Sequence, residues 1–142
     1  MTIALDPRLA TESIVIGEGP AGWLLLRDEA RWPWCLWVPR TERIEFHDLD
    51  QAQQLRTMQV VASLASAISS LPGVSKINIA SLGNVVAQQH WHVIGRIPDD
   101  PAGPAPTFGL PRQPYPPDQL AQMTQRMRVA LDVAALVEIK SL

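Results

Sequence analysis

A chain of 142 residues is long enough to bury one compact core and short for two, so a single domain over 1–142 is expected. Its formal charge of -2 and pI near 5.9 exclude bulk attraction for nucleic acid, and no apolar run approaches the roughly 18 residues that span a membrane. The one cysteine, Cys35, excludes an internal disulfide and reads as a buried reduced thiol; with no charged-then-apolar leader at the start, a cytoplasmic location is expected.

The elements follow in chain order. Ser13 to Ile16 and Trp23 to Leu26 are short apolar runs separated by Gly17, Gly19, Pro20 and Gly22, which predicts two strands joined by a glycine-rich hairpin loop. Trp34 to Val38, bounded by Pro33 and Pro39, predicts a third strand and so an antiparallel meander. From Gln51 to Leu71, Leu55, Met58, Ala62, Ala65 and Ile68 recur at steps of three and four, with Asp48 or Asp50 as cap, which predicts the main helix. Pro72 and Gly73 end it, and strands are predicted over Lys76 to Ala80 and Val85 to Ile94, with Gly83 in the turn. The fold class is therefore α+β: a five-stranded antiparallel sheet, one long helix and a C-terminal helix. Eight of the 13 prolines lie between Pro98 and Pro117, which makes 98–117 an extended arm beyond a core of about 9–97. Asp118 is expected to cap a last helix over 118–138, with an apolar stripe of Leu120, Met123, Met127, Ala130, Leu131 and Ala134.

Chemistry concentrates in Asn84 to Arg96, NVVAQQHWHVIGR, which holds two of the three histidines. On a strand, Gln88, His90 and His92 share one face while Trp91 and Val93 pack against a core on the other. A histidine pair at this spacing alone fits metal ligands or plain structural histidines as well as a nucleophile and its assistant. His47 reads as a surface or capping residue. The tryptophans on the early strands, Trp23, Trp32, Trp34 and Trp37, read as core, with a ligand contact by one of them as the alternative.

The run from Gly83 to Arg96 resembles the signature of the histidine triad superfamily, in which a glycine and an amide precede alternating histidines and two apolar residues. PWCLWVPR resembles the family's strand leading to a proline, FHDL its helix start, and the order of elements matches over about Ile14 to Arg96. The closest likeness is to a bacterial group with glutamine at the first triad position, a motif reading QLHIHVIGR and a tail rich in aspartate, proline and tryptophan. DDPAGPAPTFG, from Asp99 to Gly109, resembles that tail, with Gly103 and Phe108 where indoles would stand.

The resemblance implies a nucleotide hydrolase or nucleotidyl transferase acting at an α phosphate, in a dinucleoside polyphosphate or a nucleoside phosphoramidate. His90 matches the histidine that forms a covalent nucleotidyl intermediate, and His92 the one that hydrogen-bonds the phosphoryl oxygens. Asn84 matches an amide near the leaving group, Asp28 a ribose contact, and Trp34 a position where many members carry another pocket histidine. Gln88 replaces the first histidine; an amide donates and accepts hydrogen bonds but cannot be protonated near neutrality, which removes any acid role there. Arg96 is a candidate phosphate contact. A homodimer is implied too. The chemistry is consistent with this, because nucleotidyl transfer needs an unprotonated nucleophile in line with the leaving group and donors on the nonbridging oxygens. No protein-bound metal or cofactor is expected, magnesium entering at most with the substrate, and neither nucleic acid nor a membrane is an expected partner. Two other readings follow from the residues: Gln88 and the altered tail fit a nucleotide-binding relative without turnover, and the proline-rich arm fits an interaction module.

Overall fold

The computed structural model describes residues 2–138. A five-residue helix, α1 (Pro7–Thr11), precedes strands β1 (Ser13–Gly19), β2 (Gly22–Arg27) and β3 (Trp34–Pro39). A single 3-10 turn, Phe46–Asp48, leads into α2 (Gln51–Ser69), then β4 (Lys76–Ala80), β5 (Trp91–Arg96), α3 (Pro117–Ala130) and α4 (Val133–Glu138). The strands form one antiparallel sheet in the order β1-β2-β3-β5-β4, the α+β class the sequence predicts.

Side-chain alternation divides the core between the two faces of the sheet. Cys35, Trp37 and Val93 join Val60, Val61, Leu64 and Ile68 of α2 on one face, with Met127, Leu131 and Val137 closing it. Trp34, Leu36, Val38 and Ile94 form the other layer with Trp23, Leu25 and Trp32. Burial inside the α2 layer pushes the Cys35 thiol up to about 12, as for an inert core residue. Asp50 caps α2 through a reciprocal pair of bonds: its carboxylate accepts from the Gln53 backbone at 2.8 Å, and the Gln53 side chain accepts from the Asp50 backbone at 3.3 Å.

Four expectations need correction. The strand predicted from Val85 begins only at Trp91, because β4 ends opposite His92 at Ala80 and β3 pairs no further than Trp37 with Trp91; earlier residues have no ladder to join. Gln88 therefore lies on a loop, and the three-residue face reduces to His90 at the mouth of β5 and His92 within it. On α2 the buried stripe is Val60, Val61, Leu64, Ala67 and Ile68, whereas Leu55, Met58 and Ala62 face outward. The helix is apolar on two sides, so the spacing fits either stripe. The last helix breaks at Leu131, which is extended (φ -114°, ψ 139°) and buried, so that Leu136 and Val137 turn back onto β1. Ala130 and Ala134 are consequently exposed. Finally, Pro116 occupies the cap position of α3 and Asp118 its first turn. The helix α1 went unpredicted, although Asp6-Pro7 carries its signal, a cap followed by proline at the first helical position.

Candidate functional site

A cleft of about 390 Å³ opens over the end of β5, lined among others by Asn84, His90, His92, Arg8, Arg27 and Phe108. His90 is held by a bond between its Nδ1 and the Gln88 carbonyl oxygen, 2.7 Å away. A carbonyl can only accept, so Nδ1 carries a proton and the neutral ring presents its lone pair at Nε2. His92 is fixed in the same way by the opposite partner. The Trp34 indole Nε1–H donates to His92 Nδ1 at 3.0 Å, which leaves the proton on His92 Nε2. Two neighbouring imidazoles, with centroids 5.0 Å apart, thus hold opposite tautomers: one offers a lone pair and the other a donor.

Burial, then the neighbouring His90, then Arg27, bring His92 down to about 3. It is therefore neutral at pH 7. An unfolded chain takes up this proton near 6.5 and the folded one only near 3, so the unfolded state binds more protons between those values. The contribution of His92 to stability is complete above 6.5 and falls as pH drops through that window. Urea midpoints at pH 7 and pH 4.5 should fall less steeply in His92→Asn than in wild type. Equal slopes would show that His92 is not held neutral by the fold.

Trp34 touches the site through His92 rather than by lining the main cleft, and it also carries Arg27 over its ring at 4.8 Å. Arg27 pairs with Glu12 at 3.0 Å, and its cation faces the same region as His92. Sequence reasoning missed Arg8, Glu12 and Arg27; the first two sit in a segment to which no element had been given, and Arg27 ends a strand where an arginine is ordinarily solvated. Phe108 meets His92 edge-on at 4.9 Å and Trp34 at 5.5 Å, so the arm closes over the site of its own chain.

Three sequence candidates are committed elsewhere. The Gln88 carboxamide accepts from the Asp6 backbone at 2.7 Å and donates to the Ala4 carbonyl at 2.9 Å, pinning the N-terminal segment beside the cleft. Only its backbone serves His90. Replacing Gln88 by Ala should therefore cost about 1 kcal/mol of stability, for one partly buried and one exposed hydrogen bond, and change turnover little. A loss of turnover without loss of stability would instead give the side chain a chemical role. Asp28 accepts from the Tyr115 backbone at 2.8 Å and from Arg112 at 3.1 Å, and so anchors the far end of the arm. Arg96 binds Asp100 at 2.7 Å, Asn78 at 2.9 Å and the Gly103 carbonyl at 2.7 Å, and anchors the near end. The structure does not bring Asp28 or Arg96 to the cleft.

Among the described residues, no three His, Cys, Asp or Glu side chains gather as a metal site. No helix among them is long and apolar enough to cross a membrane.

An antiparallel five-stranded sheet with an amide, two oppositely tautomerised histidines and a covering arm at the end of its fourth strand in space defines an α+β protein of the histidine triad type. The HIT domain model matches residues 8–99, and the chain belongs to this family. A histidine triad protein from Marinobacter aquaeolei is similar at 33% identity and TM-score 0.88, over 96% of this chain and 99% of that one. Histidine triad proteins from Bradyrhizobium japonicum and Sinorhizobium meliloti are each similar at 32% identity and TM-score 0.86, over 92% of this chain and 98% of theirs. No curated protein matches. The superfamily includes nucleotide hydrolases and transferases, together with members that are not catalytic.

Proposed function

We propose that this protein hydrolyses or transfers at the α phosphate of a nucleotide, with a dinucleoside polyphosphate or a nucleoside phosphoramidate as substrate. The observation that carries this reading is the bond from His90 Nδ1 to the Gln88 carbonyl, which directs the Nε2 lone pair outward as a nucleophile. Nε2 attacks the α phosphorus, an N–P bond forms and the bond to the leaving group breaks, and water then releases nucleoside monophosphate and restores the imidazole. The His92 Nε2–H and the Arg27 cation supply positive character where charge builds on the nonbridging oxygens. Asn84, also in the cleft, serves in this reading as the amide that meets the departing group. The leaving group takes its proton from solvent or carries none, since Gln88 has no acid to give. Any magnesium would arrive bound to the phosphates, and no step is assigned to it.

Release of nucleoside monophosphate from a panel of phosphoramidates and dinucleoside polyphosphates tests this directly. The alternative, nucleotide binding without turnover, draws on the commitment of the Gln88 side chain to Ala4 and Asp6. Calorimetric binding with no product over hours would select it. An interaction role for the proline-rich arm has less support, because both ends of the arm are tied to their own chain. A homodimer is supported by the outward Leu55 and Met58, one turn apart on α2, and by the exposed Ile79 on the edge strand β4.

A further inference from the structure

On the opposite face of the sheet from the histidines lies a second cleft, of about 260 Å³, whose lining includes Trp37, Arg40, Asp50, Gln53, Arg56 and Thr57. Arg56 is 9% exposed, and among the described residues its Nε and Nη2 have no hydrogen-bond partner. Trp37, 1% exposed, leaves its indole Nε1 equally unpartnered. A buried guanidinium without a counter-charge is strongly unfavourable, and a buried indole N–H normally finds an acceptor. Here both residues line one cavity, and both deficits are donors.

The charges around them are already allotted. Arg40 is paired with Glu18 at 3.2 Å and bonded to the carbonyls of Gly19 and Ile3. Asp50 receives the Gln53 backbone as the cap of α2, and no ion pair joins it to Arg56 among the described residues. Among the described residues that line this cleft, Arg56 is therefore the cation without a counter-ion, and the nearby Asp50 carboxylate disfavours a multiply charged guest. We infer that this cleft binds a small carboxylate, which Arg56 and the Trp37 indole recognise as a planar monoanion with two acceptor oxygens. The site shares no lining residue with the histidine cleft and is independent of the reaction there.

Two indoles make the test self-controlled. In ¹H–¹⁵N spectra of the full chain titrated with sodium acetate against sodium chloride at equal ionic strength, the Trp37 indole N–H should move and saturate. The Trp34 indole, bonded to His92 in the other cleft, should not follow it. Arg56→Gln should weaken the Trp37 response by about tenfold or more, the worth of a charge-assisted hydrogen bond, while the Trp34 signal reports an intact fold. Wild type should also melt at higher temperature in acetate, and Arg56→Met should melt higher than wild type without acetate and lose the dependence on it. A Trp37 signal that ignores acetate, or moves only with inorganic phosphate, overturns the inference. So does an Arg56→Met variant that melts lower by the same amount with and without acetate.

Discussion

His90→Ala should lower the release of nucleoside monophosphate by on the order of a thousandfold or more, because the covalent route closes and only substrate positioning remains. The fold should survive the change. His90 stands before the first residue of β5, contributes no ladder bond to it, and its ring makes one hydrogen bond, to a loop carbonyl. Denaturation midpoints of wild type and variant should therefore lie close together while turnover separates them. With a labelled substrate, acid-labile and base-stable label on wild-type protein but not on the variant would locate the intermediate's site of attachment. The companion variant Trp34→Phe probes the other imidazole. It keeps an aromatic ring against Phe108 but removes the donor to His92 Nδ1, so His92 loses the bond that selects its tautomer. Activity should fall by less than in His90→Ala, since the nucleophile is untouched. Undiminished turnover in His90→Ala would refute the nucleotidyl-histidine reading outright.

Much of this arrangement was legible in the residues, and the failures have physical reasons. Strands bounded by proline and glycine were readable because those residues cannot continue a ladder, and the order of β1, β2 and β3 followed from the short links between them. The capping box of α2 was half visible, as Asp50 followed by an amide at Gln53. The stripe of α2 was not: its sequence offers Leu55, Met58 and Ala62 as readily as Val60, Leu64 and Ile68, and only the sheet it packs against selects between them. In the site, His90 and His92 came together as their spacing suggested, yet the start of β5 depends on where its neighbours β3 and β4 stop, which is a long-range fact. Gln88 was read as a chemical group for the same reason. Its carboxamide instead holds Ala4 and Asp6, more than eighty positions earlier in the chain. Arg96 and Asp28 followed the same pattern, since each binds the arm, and no local signal says where an arm of eight prolines will lie.

The arm's anchoring carries the largest expected effect on stability. Asp100 Oδ2 accepts from Arg96 Nε at 2.7 Å and from Trp32 Nε1 at 2.9 Å, while Oδ1 accepts from the Ala102 backbone at 2.8 Å. Both side chains of this ion pair are nearly buried, at 9% and 7% exposure. The Arg96 guanidinium holds the Asp100 carboxyl well below the usual carboxylate range, with the Ala102 and Trp32 donors adding to it. Asp100→Ala strands a buried cation and two N–H groups, and should cost about 3 kcal/mol, at the lower end for a broken buried pair because Asn78 and Gly103 still hold Arg96. For a chain of this size that is a fall of about 10 °C in Tm. A folded pKa below the ordinary 3.8 means this contribution is complete above 3.8 and is lost as pH falls through the folded value, so the variant should also lack the steepest part of the acid limb. Function should follow stability here, because the arm that Asp100 and Arg96 fasten carries Phe108 onto His92. A looser arm should raise KM more than it lowers kcat, since the nucleophile stays bonded to Gln88. The double variant Arg96→Met with Asp100→Leu removes both charges together and should recover much of the lost stability. If Asp100→Ala melts with wild type, the ion pair is not what fastens the arm; if it melts early yet turns over with an unchanged KM, the cover supplied by Phe108 is not part of substrate binding.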